Sequence, residues 1–279
     1  MQEARGIASY YSALNCSFEL EASPLSDNYF LDVFGCFIIP RIAKIKIHLV
    51  NQNGAWLIFE APGTQPLVLS SFAAAADELI RTLNLRAVES VPEMLRLHAG
   101  AVVVESGSSA LLVGASGAGK TNITFECLRQ GGAYLTDETV AYHFGDHTVF
   151  GNRKPLTIKT SSHDRLSHLD PRHRGHDPEL TRGGSWHVPP SWFGGTLADG
   201  PATPTVLAFP ERVEGATGTT VTTLRPAEAA LLVGQQTSYL SSTPNALAAL
   251  KRLTEDTHCV RVTAASSAHI ADAVMDLLR

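Results

Sequence analysis

The sequence has few cysteines, no long apolar run and no excess of basic residues. Its four cysteines are widely spaced and lack paired ligand spacing, so neither a disulfide framework nor a zinc knuckle is indicated. No apolar run approaches the roughly 20 residues of a membrane-spanning helix, and the first residues lack a basic start that leads into an apolar segment. A formal net charge of -5 argues against binding to nucleic acid or to an anionic membrane. We therefore expect a cytoplasmic protein without nucleic-acid or membrane partners.

What remains is a chain of ordinary globular composition. With 279 residues, 44% of them hydrophobic, it can bury one large core or two smaller ones. Short apolar runs between Gly, Pro and Asn turns indicate a β-rich unit early in the chain. These runs are residues 33–39, 42–50 and 56–59. Ser71 can cap a helix over residues 72–85, and Pro92 favours a shorter helix that ends near Leu97.

The middle of the chain predicts a β-hairpin that leads into a helix. Two apolar runs, residues 101–104 and 110–113, flank a turn-like segment. The helix should begin near Gly119. It should end near Gln130, because Gly131 can adopt the left-handed conformation that terminates helices.

The last part of the chain begins with a change in composition. Residues 151–205 contain five of the eleven histidines, mixed with Arg, Asp, Gly and Pro, and predict a loop-rich insertion. The elements predicted after it are a strand over residues 205–209, helices over 224–232 and 245–254, a strand over 258–263 and an amphipathic helix over 267–278. We divide the chain into an N-terminal β-rich unit that ends in a helix, residues 1–90, and a second domain, residues 91–279, that contains the insertion.

Residues 114–121 read GASGAGKT and match the P-loop pattern G-x-x-x-x-G-K-[ST]. In this pattern the glycine-rich backbone amides surround nucleotide phosphates, the lysine neutralises charge on the outer two, and the threonine hydroxyl binds magnesium. The motif follows an apolar strand and opens a helix, which is the context that it requires. We therefore predict binding of ATP, or of another nucleoside triphosphate, with Mg²⁺. The predicted nucleotide-binding residues are Gly114, Ala115, Ser116, Gly117, Ala118, Gly119, Lys120, Thr121 and Asn122.

An acidic dipeptide, Asp137-Glu138, lies between two short predicted strands, residues 133–136 and 139–142. It follows the P-loop lysine by 17 residues, at the carboxyl edge of a strand, where α/β proteins place their chemistry. An oxygen cage for Mg²⁺ needs an acidic partner, and a kinase also gains from a base near the accepting hydroxyl. We predict Thr121, Asp137 and Glu138 as metal ligands, with Asp137 or Glu138 as the catalytic base.

Three segments together resemble the kinase domain of the HPr kinase/phosphorylase family. They are residues 97–104 (LHAGAVVV), the P-loop and residues 133–140 (AYLTDETV). The resemblance covers about residues 97–142 and implies an α/β P-loop kinase core related to phosphoenolpyruvate carboxykinase. It also implies that the acidic dipeptide is the catalytic acid pair and that His98 is the family's histidine before the hairpin.

The sequence departs from the family at two points. Glu138 stands where the family usually has aspartate, and the glycine-rich signature at which the family docks its carrier protein is not found. Residues 209–212 (FPER) and 224–229 (LRPAEA) are similar instead to divergent HPr-kinase-like proteins, some of which lie in peptide-modification clusters, including lasso-peptide clusters. The resemblance therefore implies a kinase that phosphorylates a hydroxyl, that of serine, in a peptide or protein such as a natural-product precursor peptide. It also indicates a homo-oligomer.

Several other residues are candidates for function, although a structural role is open for each. His98 could orient a phosphate or a side chain near the site, and Arg212 could stabilise the transferring phosphate with its guanidinium fork. Arg153 and Lys154 could reach phosphate or an acidic substrate. The histidine-rich stretch lacks the spacing of a zinc site, so we predict a loop that covers the substrate.

Two other functions remain open. Small-molecule kinases of the shikimate or nucleotide kinase type also have an acid shortly after the P-loop helix. They usually begin with the P-loop, however, whereas about 100 residues precede it here. A nucleotide-dependent switch module would hydrolyse ATP slowly or not at all, and the presence of both the lysine and the acidic dipeptide argues against it.

Overall fold

The computed structural model describes residues 8–14, 16–22, 24–38, 44–60 and 64–279. The chain forms two compact units. The first unit comprises Met1–Ser90 and Arg153–Trp192, and the second comprises Val91–Asn152 and Phe193–Arg279. Each unit combines helices with β-sheet, so the protein is of the mixed α/β class.

The regular elements are numbered in chain order. The helices are α1 (Pro24–Phe34), α2 (Phe72–Glu89), α3 (Lys120–Arg129), α4 (Pro178–Thr181), α5 (Pro226–Gln235), α6 (Ala246–Glu255) and α7 (Ser267–Leu278). The strands are β1 (Ala8–Ala13), β2 (Cys16–Ala22), β3 (Ile45–Gln52), β4 (Ala55–Phe59), β5 (Leu67–Leu69), β6 (Leu95–Val103), β7 (Ser108–Val113), β8 (Ala133–Thr136), β9 (Thr139–His143), β10 (Thr148–Gly151), β11 (Leu156–Ile158), β12 (Trp186–Val188), β13 (Thr196–Leu197), β14 (Thr203–Arg212), β15 (Thr220–Thr223), β16 (Thr237–Ser238) and β17 (His258–Ala264). Among the described residues, no helix combines the length and the apolar character needed to cross a bilayer.

The first unit contains a five-stranded sheet in the order β1-β2-β3-β4-β5. Neighbouring strands are antiparallel except β2 and β3, which are parallel. Ile47 and Leu49 of β3 and Ile58 of β4 are buried at alternate positions, as expected for a sheet with one covered face. The strand predicted from the apolar run at residues 42–50 is confirmed from Ile45 onward, and the strand predicted at residues 56–59 is confirmed in full.

Helix α2 belongs to the same unit and begins where the sequence predicted. The Ser71 hydroxyl accepts a hydrogen bond from the Ala74 N–H, which satisfies one of the free donors of the first turn. At this end of the helix, the Phe72 ring packs edge-on against Trp56 and Tyr29, at centroid distances of 4.9 and 5.4 Å. Aromatic packing therefore anchors the start of the helix in the core of the first unit.

The prediction of a strand over residues 33–39 is wrong. Helix α1 extends to Phe34, and Gly35–Phe37 form a 3-10 turn. The buried residues Phe30, Val33, Phe34 and Phe37 recur at spacings of three and one, which is the pattern of one helix face rather than of a strand. Residues 39–43, which contain the end of this run and the start of the next, lie outside the described residues.

The second unit is built on a ten-stranded sheet. Its main path is β10-β9-β6-β7-β14-β17-β15, and β8, β13 and β16 pair beside that path. Strands β6 and β7 form the predicted antiparallel hairpin. Strand β14 runs parallel to both β7 and β17, and β8 has the same direction as β7 because both are antiparallel to β6. The carboxyl ends of β7, β8, β14 and β17 therefore lie at one edge of the sheet.

The helix predicted from Pro92 to Leu97 is wrong, because β6 begins at Leu95. Leu95, Leu97 and Ala99 are buried in the core of the second unit and alternate along the strand. This period of two belongs to a sheet, and it overrides the local preference of a proline for the first turn of a helix. His98 is therefore a strand residue.

Different helices cover the two faces of this sheet. Ala99 and Ala101 of β6 pack in a core that includes Leu253 of α6. Gly100, which lies between them, faces α3, since a Cβ at that position would lie 2.7 Å from Thr124 Oγ1. Because successive strand residues point to opposite faces, α3 lies on one face and α6 on the other. Helix α7 packs beside α3.

The other predicted elements of the second unit are confirmed. Helices α3, α5, α6 and α7 and strands β8, β9, β14 and β17 lie at the predicted places, with ends that differ by up to three residues. Gly131 has a φ of 93° and provides the predicted left-handed end of α3. The stretch of residues 151–205 contains 3-10 turns and short elements, namely α4 and β11–β13.

Candidate functional site

The glycine-rich loop connects β7 to α3 in the second unit. Gly117 and Gly119 have φ angles of 90° and 87°, a backbone conformation that a side chain would strain. A Cβ at Gly114 would lie 3.1 Å from the Cβ of Ala118, which is closer than most side chains approach each other. The path of the loop therefore depends on glycine at all three positions. Ala115 and Ser116 at its tip are exposed, and Asn122 is buried on α3.

Lys120 is the first residue of α3, and its side chain folds back along the loop. Its Nζ donates hydrogen bonds to the carbonyl oxygens of Gly114 and Ala115, at 2.6 and 3.0 Å. Only 6% of the residue is exposed. The ammonium group therefore lies at the N-terminal end of a helix, where the free backbone N–H groups also favour an anion.

Thr121 and Asp137 come together although 16 residues separate them. The Thr121 hydroxyl donates a hydrogen bond of 3.0 Å to Oδ2 of Asp137. Their positions follow from the sheet, because α3 starts just beyond the carboxyl end of β7 and Asp137 directly follows the carboxyl end of β8. Asp137 is 1% exposed. The structure therefore places one hydroxyl oxygen and one buried carboxylate side by side at the loop.

Tyr134 is a neighbour of Asp137 that sequence reasoning missed. It lies in β8 and is fully buried, and its hydroxyl donates a hydrogen bond of 3.0 Å to Oδ1 of Asp137. A signal for it existed, since the hydroxyl of a buried tyrosine usually has a partner and the strand leads directly to a carboxylate. Both oxygens of Asp137 thus accept a hydrogen bond from a hydroxyl group.

Glu138 points to a different neighbour, His98. Nδ1 of His98 lies 3.1 Å from the backbone oxygen of Glu138 and 3.4 Å from its Oε1. Because both oxygens are acceptors, we assign a hydrogen to Nδ1. The two side chains are about one-third exposed, at 30% and 35%, so this pair is open to solvent whereas Asp137 is not.

The turn that contains the acidic dipeptide is held by the hydroxyl of Thr136. Its Oγ1 accepts hydrogen bonds from the backbone N–H groups of Glu138 and Thr139, at 3.2 and 3.3 Å. The same hydroxyl donates to the backbone oxygen of Asn152 at 3.0 Å. The backbone oxygen of Glu138 accepts from the Ala99 N–H at 3.1 Å. Both carboxylates therefore extend from a tightly bonded backbone.

Two other groups border this region in the second unit. Arg212 is exposed at the carboxyl end of β14, the strand next to β7, and so lies at the same edge of the sheet as the loop. The backbone oxygen of Gln236 accepts a hydrogen bond of 2.8 Å from the His98 N–H, just before β16 pairs with β6. Sequence reasoning missed Gln236, because a backbone contact leaves no signal in side-chain chemistry.

The remaining candidates from the sequence belong to the first unit. Lys154 is buried, and its Nζ donates to the Pro155 carbonyl and to the Thr157 hydroxyl, at 3.2 and 3.1 Å. The histidine-rich stretch makes its contacts within the first unit: His163 stacks on Trp186 with centroids 3.7 Å apart, and Nε2 of His176 lies 2.9 Å from Oδ2 of Asp32. Within the part of the chain that the structure describes, no group of three or more His, Cys, Asp or Glu side chains is arranged to hold a metal ion.

Comparison with known proteins adds an independent finding. No protein-family model matches the chain. It is similar to two HPr kinase/phosphorylase proteins of Clostridium botulinum, from the strains Eklund 17B (type B) and Alaska E43 (type E3), at 32% identity over 126 residues. The matched part is 44% of this chain and spans only 37% of the length of each relative.

By name the two matched relatives are kinases, and the mixed α/β fold of this chain is compatible with that class of enzyme. More specifically, the matches confirm the resemblance that the motifs indicated and support a divergent HPr-kinase-like family.

Proposed function

We propose that this chain is a P-loop kinase of the HPr-kinase type that uses ATP and Mg²⁺ to phosphorylate a hydroxyl group. The observation that supports this most directly is the hydrogen bond of 3.0 Å between Thr121 and Asp137 beside the glycine-rich loop. In P-loop enzymes the corresponding hydroxyl and an aspartate after a nearby strand hold Mg²⁺ between them. A glycine-rich turn without nucleotide chemistry has no need of a buried carboxylate there.

The loop and Lys120 supply the groups that bind phosphate. Backbone N–H groups of residues 114–122 and the start of α3 favour the negative charge of the β- and γ-phosphates. Lys120 bonds to two carbonyl oxygens of the loop and therefore already lies against it. Its ammonium neutralises charge on the outer phosphates.

The oxygen atoms at Thr121 and Asp137 fit a hard cation such as Mg²⁺. Two protein ligands are enough, because Mg²⁺ keeps several water molecules and also binds the phosphates of its nucleotide. When bound there, Mg²⁺ would neutralise charge on the phosphates. We assign Asp137 to this role because it is buried and both of its oxygens are oriented by hydroxyl donors.

Glu138 is better suited to accept the proton of the acceptor. It is about one-third exposed beside His98, so a substrate hydroxyl can reach it. In the reaction, the hydroxyl oxygen forms a bond to the γ-phosphorus, the bond from that phosphorus to the β,γ-bridging oxygen breaks, ADP leaves, and the hydroxyl proton passes to Glu138. Arg212 stabilises charge on the transferred group from the neighbouring strand end.

We propose a serine in a peptide or protein as the acceptor, of the natural-product precursor type, in the cytoplasm where ATP is available. The name of the two relatives denotes a kinase of HPr, which favours a polypeptide acceptor over a metabolite. HPr itself is a weaker candidate, because the carrier-docking signature is not found in the sequence. A homo-oligomer is part of the same proposal.

The proposal is tested by incubation with terminally labelled ATP, Mg²⁺ and candidate peptides. We expect label on a peptide serine, and a loss of at least about 100-fold in the Lys120→Ala and Asp137→Asn variants, because each removes stabilisation of the transferring charge. Lys251→Ala and Asp276→Asn are matched controls at exposed positions and should keep full activity.

Each alternative gives a different result in this assay. Label on a small metabolite would favour a small-molecule kinase, and Mg²⁺-dependent ATP binding without a labelled acceptor would favour a nucleotide-dependent switch. Transfer that survives Lys120→Ala would show that the glycine-rich loop is not the phosphate site.

A further inference from the structure

Tyr134 occupies an unusual place for a polar side chain. Strand β8 pairs with β6 on one side and with β13 on the other, and the Tyr134 side chain is fully buried. Burying a hydroxyl costs free energy unless it is hydrogen-bonded. The partner is Oδ1 of Asp137, three residues further along the chain, at 3.0 Å.

The Asp137 carboxylate is therefore held at both oxygens. Tyr134 donates to Oδ1 and Thr121 donates to Oδ2, each at 3.0 Å. A carboxylate bonded at one oxygen can still rotate about its Cβ–Cγ bond, whereas one donor at each oxygen restricts this rotation. A carboxylate oxygen has two lone-pair positions, so an oxygen that accepts one hydrogen bond is also able to bind a cation or a water molecule of that cation.

We propose that Tyr134 is a positioning residue that orients Asp137 to receive Mg²⁺ beside Thr121. This inference rests on the proposed function and assigns a residue to the metal half of the site. Glu138 lies beside His98 with its side chain, and its backbone N–H donates to the Thr136 hydroxyl. The bond between Tyr134 and Asp137 therefore belongs to the metal half of the proposed site. Partners that orient a metal ligand commonly account for a 10- to 100-fold difference in metal affinity.

The chain offers a matched pair of variants for the test. Tyr134→Phe keeps the buried ring and removes only the oxygen that bonds to Asp137. Tyr142→Phe makes the same change at a second buried tyrosine, which lies on β9. Its hydroxyl lies 2.9 Å from Nδ1 of His147, in the turn between β9 and β10. A general effect of removing a buried hydroxyl would appear in both variants, whereas an effect on metal binding would appear only in the first.

The measurement is the affinity of the full chain for a fluorescent ATP analogue, titrated with MgCl₂ or with EDTA. We expect Tyr134→Phe to weaken the Mg²⁺-dependent part by about 10-fold or more, with affinity in EDTA within about twofold of wild type. Tyr142→Phe should match wild type in both conditions. In an Asp137→Asn background, Tyr134→Phe should have no further effect, because the carboxylate that it orients is gone.

The outcomes separate the two levels of the proposal. If wild type binds the analogue with Mg²⁺ dependence and Tyr134→Phe retains it, or if Tyr142→Phe loses as much, Tyr134 has no positioning role. If wild type shows no Mg²⁺-dependent binding, the proposed kinase function fails and this inference fails with it. Circular dichroism and the urea midpoint of each variant establish that it is folded, and the Asp137→Asn comparison provides a second, independent test.

Discussion

A methyl group added at Gly100 should disturb the candidate site from a distance, through helix α3. It lies on β6 two residues after His98, and a Cβ there would lie 2.7 Å from Thr124 Oγ1 and 3.5 Å from Leu112 Cδ1. Thr124 is fully buried on α3, and within the described residues its hydroxyl has no hydrogen-bond partner. The strand and the helix are therefore in contact at a point where only glycine fits.

The size of the effect follows from that distance. The contact must widen by roughly 0.8 Å to reach ordinary van der Waals separation. Thr124 is β-branched, so a change of its χ1 rotamer still leaves two γ substituents to be packed in this buried interface, and we expect α3 itself to shift. Overpacking of this kind costs about 1–3 kcal/mol in the free energy of unfolding. Because the first turn of α3 holds Thr121, Gly100→Ala should also weaken Mg²⁺-dependent ATP binding.

Urea unfolding of Gly100→Ala, Thr124→Ala and the double variant tests this reasoning. Removing the Thr124 side chain beyond Cβ makes room for the new methyl group, so the double variant should be more stable than the sum of the two single effects by about 1–2 kcal/mol. Gly218→Ala is the matched control, because a Cβ there meets nothing within 4 Å. Additive effects, within about 0.5 kcal/mol, would refute the assigned contact.

Three other predictions concern a glycine, a thiol and a carboxylate. Gly151→Ala should lower the free energy of unfolding by about 3 kcal/mol, as measured by urea unfolding. This value is at the upper end of the range for overpacking, because a Cβ would lie 2.2 Å from the backbone oxygen of Leu135. Burial raises the pKa of Cys127 to about 12, so iodoacetamide at pH 8 should leave this thiol unmodified in the folded chain, as mass spectrometry would detect. Burial raises the pKa of Asp77, but contacts with His187 and with Ser185 outweigh it and lower the pKa below its usual range. A lowered acid pKa stabilises the folded state above the unfolded pKa near 3.8, and this stability is lost as the pH falls. Urea midpoints should therefore fall more between pH 6 and pH 3 in wild type than in Asp77→Asn.

Each of these predictions has a result that would contradict it. A Gly151→Ala chain as stable as wild type would mean that the backbone of β10 can move away from Leu135 at little cost. Alkylation of Cys127 at the same rate in folded and urea-unfolded protein would contradict its burial on α3. Equal loss of stability with pH in wild type and Asp77→Asn would show that the carboxylate gains nothing from its neighbours.

Local signals in the sequence were enough to predict the elements on which the site is built. The boundaries of α3 and β8 followed from glycine positions and from a short apolar run, and both are confirmed. The closeness of Thr121 and Asp137 could be expected in kind, because a helix after one strand and an acid after a parallel strand meet at one sheet edge. The distance itself depends on strand register, which is a property of the folded sheet.

Other features depend on contacts that are distant in the chain. In the sequence, Tyr134 is one more apolar position of a buried strand. Only in the folded turn after β8 does the carboxylate of Asp137 lie next to its hydroxyl. The start of β6 is predicted as a helix from the sequence, because Pro92 is a local helix signal. Its strand conformation depends instead on pairing with strands that are distant in the chain. Strand β15 is exposed along its whole length, so it has no hydrophobic pattern from which to predict it.

The acidic dipeptide has a consequence for how such a site can change. Asp137 and Glu138 are the whole connection between β8 and β9, and both strands pair with β6. The distance between the ends of β8 and β9 is thus set by the geometry of one sheet, and the two residues are just long enough to connect them. An inserted residue would move one carboxylate away from its partner, whereas a substitution leaves the spacing intact. New chemistry at this site is therefore accessible through exchange of side chains rather than through changes in loop length, which makes the turn a suitable place to engineer altered metal or acceptor preference.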